Sequence, residues 1–83
     1  MFTQTVKATE THWISGTELE IGSNITAKTR YRQQDQACVI THLENDTIEI
    51  RFKEPQRAVT PGQALVFYDD RVCLGGATIS NSE

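Results

Sequence analysis

Lys28, Arg30 and Arg32 stand at alternate positions around Tyr31. In an extended chain, residues spaced i, i+2, i+4 project from one face. The three cations therefore share a face, with Tyr31 on the other face, or at its rim if the strand twists. Cations about 7 Å apart along a strand can track successive phosphates of a nucleic acid. Arginine adds bidentate contacts to phosphate or base, and an aromatic ring can stack on an unpaired base. Residues 25–34 carry a charge of +3 and no acid, while the whole chain, with 8 basic and 11 acidic residues, is at −3. The other reading is a solvated outer face balanced by acids on neighbouring strands, as antiparallel sheets ordinarily present.

Other candidate chemistry is thin. Cys38 and Cys73 make no CxxC and share no metal-ligand spacing with His12 or His42. Both thiols read as reduced, small buried hydrophobes in strands. A catalytic thiol needs a base or cation to lower its pKa, and neither imidazole has a recognisable partner. Gly75-Gly76 lacks the Lys and Ser/Thr that complete a phosphate loop. Asp69-Asp70 reads as a turn, not a carboxylate pair. Trp13, the only Trp, reads as a core plug because of the area it buries.

The elements that position these residues are strands. Val, Ile and Thr supply 23 of the 83 residues and Leu only four. These β-branched types suit a pleated surface. Thr47-Ile48-Glu49-Ile50-Arg51-Phe52 alternates cleanly, with Ile48, Ile50 and Phe52 inward and Thr47, Glu49 and Arg51 outward. Ala37 to Leu43 is a second strand, joined to it by a Glu44-Asn45-Asp46 turn. Ala64 to Tyr68 follows a Thr60-Pro61-Gly62-Gln63 turn in which Gly62 takes the positive-φ position. Val72 to Ile79 follows, with a bulge or bend expected at Gly75-Gly76. Ile25 to Arg32 and Gln4 to Thr9 complete six strands, and Thr11 to Gly16 reads as a short helical turn. Six short strands at intervals of about ten residues predict an all-β fold, a small antiparallel barrel or sandwich.

Length and composition narrow the function. Eighty-three residues make one domain, spanning 1–83, too small for an enzyme with a deep catalytic core. No run of apolar residues is long enough to span a membrane, and no secretory leader is legible. A cytoplasmic protein without a membrane partner is the expectation.

Read together, the motifs resemble a known family. His12-Trp13-Ile14, Lys28-Thr29-Arg30-Tyr31-Arg32-Gln33 with a following Cys, Ala58-Val59-Thr60-Pro61-Gly62-Gln63 running into Val66-Phe67-Tyr68-Asp69, and Cys73-Leu74-Gly75-Gly76 stand in the order and spacing of the C-terminal domain of bacterial tRNA-specific 2-thiouridylases. The resemblance covers about Val6 to Ile79. Thr29 departs from a common aliphatic residue, and Ala77 from a common third Gly.

The resemblance implies a six-stranded barrel similar to domain 2 of translation elongation factors, and a chain that is the C-terminal piece of a longer enzyme. That enzyme would adenylate the wobble uridine with ATP and magnesium and pass it sulfur from a cysteine persulfide. Its catalytic cysteines and nucleotide site would lie in a domain outside this chain, so this chain alone is expected to be inactive and to hold no cofactor, no metal and no catalytic residue. The implied partners are tRNA, the enzyme's own catalytic and central domains and, through the catalytic domain, a sulfur-relay donor protein. Carried over residue by residue, the tRNA contacts fall on Arg30, Tyr31 and Gln63, with Lys28 and Arg32 as supporting charges. Tyr31 either stacks at the rim or leaves the contact to its neighbour's backbone. A docking barrel that mainly packs on its own catalytic domain is the alternative function.

Overall fold

The computed structural model describes residues 2–14, 16, 19–29, 34–57 and 59–82. Six strands follow one another: β1 (Phe2–Trp13), β2 (Asn24–Thr29), β3 (Gln36–Glu44), β4 (Thr47–Arg57), β5 (Ala64–Asp69) and β6 (Val72–Ser82). All pairings are antiparallel, and the sheet closes on itself in the order β1-β4-β3-β2-β5-β6. Closure leaves no strand edge open along the barrel. No helix occurs among the described residues, and so none is long and apolar enough to cross a membrane.

The two-residue period builds the core. Val6, Ala8, Ile25, Ala27, Cys38, Ile40, Leu65, Phe67 and Ile79 point inward with Ile48, Ile50 and Phe52. Arg51, on the opposite face of β4, is exposed, and Thr47 and Glu49 are half-buried. Burying each large aliphatic or aromatic side chain contributes about 1.5–3 kcal/mol before entropy is counted. Trp13 packs against this cluster with its ring centroid 5.5 Å from that of Phe67, as a plug. Thr29, the departure from an aliphatic residue, faces inward at 9% exposure, and Ala77 is buried too.

Turn chemistry follows the residue types. Asn45 and Asp70 take positive φ, 56° and 58°, where short polar side chains are tolerated. Gly62 takes φ 92° after Pro61, and its N–H donates to Ile79 O at 2.8 Å, tying the turn to β6.

Of the five register irregularities among the described strands, three bear on the sequence expectations. β1 runs past Thr9 instead of ending in the helical turn expected over Thr11 to Gly16. Thr9 pairs with Thr78 but His12 with Gly76, so β1 carries one extra residue there, and Glu10 takes φ 53°. Beyond the bulge, Thr11 N–H donates to Asp46 O at 3.0 Å and Ile14 N–H to Leu74 O at 2.9 Å. A helical turn would forfeit those inter-strand bonds. In β4 the register jumps from Thr5↔Arg51 to Thr3↔Gln56, which places Pro55, with no N–H to give, outside the ladder. Gln4 Nε2 bridges the gap by donating to Phe52 O at 3.0 Å.

The third irregularity is the expected one, at Gly75-Gly76. Phe67 pairs with Gly75 but Tyr68 with Cys73, so β6 has one residue too many. Ala77 and Ile79 are buried on odd numbers, whereas Leu74 is buried on an even one. The slip of one residue turns Cys73 outward. Cys73 is exposed, against the expectation of burial, while Cys38 is fully buried; both are free thiols.

Candidate nucleic-acid interface

The basic strand reaches the described structure as β2. Ile25, Ala27 and Thr29 face the core, which sends Thr26 and Lys28 outward. Lys28 is half-buried, and its Nζ stands 5.6 Å from the centre of the Tyr68 ring. A cation over an aromatic face at that distance is attracted by the ring quadrupole. Arg30, Tyr31 and Arg32 lie outside the described residues.

Gln63 immediately precedes β5, on the same end of the barrel as the end of β2. The β2–β5 ladder pairs Thr29 with Leu65, two residues from Gln63, so the fold brings the PGQ turn and the basic strand together. Within the turn, Thr60 N–H donates to Gln63 Oε1 at 3.0 Å, and Gln63 O accepts from Ile79 N–H at 2.8 Å. One of the two acceptor sites of the side-chain carbonyl is thereby used. The amide nitrogen makes no hydrogen bond among the described residues, so Gln63 keeps its donors as well as one acceptor site.

A surface cleft of about 270 Å³ adjoins this face, lined by Lys28, Asp35, Tyr68, Asp70 and Arg71. Thr26 Oγ1 donates to Asp35 Oδ2 at 2.5 Å. That bond, then one from Asp35's own backbone, and least the Lys28 charge, hold the Asp35 carboxyl below its ordinary value despite a small opposing desolvation. Lys28, which has no acid beside it along the chain, is therefore met by carboxylates in space. The register of β2 against β5 brings in Tyr68 and the β5–β6 turn, and residue spacing carried no sign of that; the position of Asp35, three residues beyond Arg32, was the one available hint.

The other candidates resolve as structural parts. An added Cβ on Gly75 would lie 2.1 Å from His12 O, so this glycine lets β1 and β6 approach each other. Asp70 is a turn residue. Burial pushes the Cys38 thiol up to about 12, the reverse of activation. His42 Nε2 lies 3.2 Å from Glu44 Oε1 on the exposed face of β3.

A closed six-stranded antiparallel barrel defines a small β-barrel domain, and a family model described as the aminomethyltransferase beta-barrel domain matches residues 3–79. The chain belongs to that family. It is 46% identical over 82 residues to the tRNA-specific 2-thiouridylase MnmA of Chromohalobacter salexigens, a match covering 99% of this chain and 21% of the relative. The corresponding protein of Pseudomonas entomophila is 47% identical over 83 residues, all of this chain and 22% of the relative. That of Shewanella halifaxensis is 51% identical over 72 residues, 87% of this chain and 19% of the relative. The chain thus spans about a fifth of the length of these relatives, their C-terminal part.

Proposed function

We propose that this chain is the tRNA-holding barrel of a 2-thiouridylase. The observation that carries the reading is the 44–51% identity to tRNA-specific 2-thiouridylases over most of the chain. The outward cation of β2 beside the PGQ turn supports it. Arg30 contacts a phosphate or base, Tyr31 stacks at the rim or leaves the contact to backbone, and Gln63 donates from its amide to a base or sugar edge. Lys28 and Arg32 add screening-sensitive charge.

The parent enzyme adenylates the wobble uridine with ATP and magnesium and transfers sulfur from a cysteine persulfide supplied by a relay protein. Gly75-Gly76 does not fit the nucleotide: the Gly75 backbone is packed against His12 O and forms no cradle. No step of that chemistry is assigned to this barrel, which acts in the cytoplasm by holding substrate for the neighbouring catalytic domain.

A docking barrel is the second reading. Ile14, Ile21 and Val72 are 51%, 61% and 64% exposed, and all three lie at the end of the barrel where β1 and β5 finish and β2 and β6 begin. Salt-dependent tRNA binding separates the two readings. In the three-domain enzyme, Arg30→Ala weakens tRNA binding by about 1–3 kcal/mol and lowers the salt slope by about one if the partner is a phosphate. Arg51→Ala, on the exposed face of β4, is the control. Equal binding by the two variants gives the role to docking.

A further inference from the structure

The cleft between β2 and the β5–β6 turn holds a mixture of charges that a plain phosphate-tracking stripe does not need: Lys28 and Arg71 against Asp35 and Asp70. We propose that this cleft holds one ribose-phosphate unit of single-stranded RNA, with Lys28 and Arg71 on the phosphate and Asp70 accepting from the ribose 2′-hydroxyl. The inference rests on the RNA-holding reading and adds Tyr68, Asp70 and Arg71 to it.

Four observations carry it. At about 270 Å³ the cleft is below the size of a drug-like pocket, about 300 Å³ upward, and suits a single monomer unit. Lys28 stands over the Tyr68 ring, so that face is covered by a cation and does not offer itself to a base. This favours the backbone of the nucleic acid over its bases. The two carboxylates are not equivalent. Asp35 is engaged by the Thr26 hydroxyl, whereas Asp70 makes no hydrogen bond or ion pair among the described residues and is exposed. An unengaged carboxylate beside two cations matches a ligand that is anionic at one atom group and a hydroxyl donor at the next. The 2′-hydroxyl is also the group by which a protein tells RNA from DNA. Finally, Lys28 and Asp35, seven residues apart in the chain, line the same cleft.

The test uses this chain with single-stranded RNA and DNA of one sequence, about a dozen nucleotides long, followed by amide shifts and titration. RNA should shift Lys28, Tyr68 and Arg71. Arg71→Glu should lower RNA affinity about tenfold, the loss of a charge-assisted contact, while Arg51→Glu changes it less than about twofold. Asp70→Gly keeps the positive φ of the turn and removes the acceptor, so it should bring the RNA-to-DNA affinity ratio close to one. Melting curves confirm that each variant is folded. Equal losses from Arg71→Glu and Arg51→Glu overturn the phosphate seat. An unchanged RNA-to-DNA ratio in Asp70→Gly overturns the ribose contact. Shifts at Gln63 without shifts in the cleft overturn this inference and leave the RNA-holding reading standing. Absence of shifts anywhere, with intact tRNA as well, overturns both.

Discussion

Cys38 and Cys73 share a residue type and differ in everything that governs reactivity. Cys38 lies wholly inside the barrel and its thiol is pushed up to about 12 by desolvation. Cys73 is exposed on β6. A maleimide should therefore label one thiol of the native protein, and Cys73→Ser should abolish that labelling while denaturant restores one site; native labelling of Cys38 would contradict its burial. The sign of the pH effect follows from the raised value. The native state keeps its thiol proton where the unfolded chain releases it, so this contribution is complete below about pH 9 and is lost as pH rises towards 12. Relative to Cys38→Ala, the native sequence should lose stability by roughly 1.4 kcal/mol per pH unit across that window, measured by urea unfolding at several pH values. Residue type alone announced that both cysteines lack a partner. It did not announce which one faces water, because that depends on a slip in phase a few residues away.

The slip belongs to the strands. Gly75 takes φ 152° and sits where any Cβ would meet His12 O at 2.1 Å. Gly75→Ala should cost about 2–5 kcal/mol, from backbone strain plus overpacking, and urea midpoints would measure it. Phe52→Ala, which empties a site 2% exposed, should cost about 3–5 kcal/mol by the same assay. A change below about 1 kcal/mol in either variant would mean that the site relaxes in a way the packing does not suggest. Alternation made β4 and β3 legible, because one wet face and one dry face print a two-residue period. Pro-Gly and Asn-Asp made the turns legible through φ preference. The second half of β1 was not legible: a bulge at Glu10 breaks the period there, and its hydrogen bonds go to partners more than 30 residues away in sequence. The same limit hid Tyr68 and Arg71, which meet Lys28 only through the β2–β5 register.

For the whole molecule, charge and topology set the terms. A net charge of −3 opposes tRNA, so local arrangement must carry whatever RNA affinity the barrel has. Replacing both cysteines by Ser should leave tRNA binding of a folded three-domain enzyme unchanged, since Cys38 faces the core and Cys73, although paired with Tyr68, does not line the cleft; a loss of binding measured by gel shift would give one of them a role. Closure also makes β1 indispensable, because it pairs with both β4 and β6 and so joins the first strand to the last. Pairings of such long sequence separation predict folding on the millisecond-to-second scale, not the microsecond scale of helical bundles. Stopped-flow refolding monitored by Trp13, which reports on the core through Phe67, would measure it.

That β1–β6 seam has a consequence for how the chain could be rewired. Val6 pairs with Ser82, and Phe2 lies four residues further along β1, about 13 Å away at the rise of a strand. A short Gly/Ser bridge could therefore splice the last strand to the first, and a new opening could be cut in the exposed Asn45-Asp46 turn. Every rung of the barrel would survive such a circular permutation, because the rungs depend on neighbourhood around the cylinder and not on the order in which the strands are made. The β2–β5 face would keep its geometry while the covalent path into it changed, and the barrel would become a cassette whose point of attachment can be chosen.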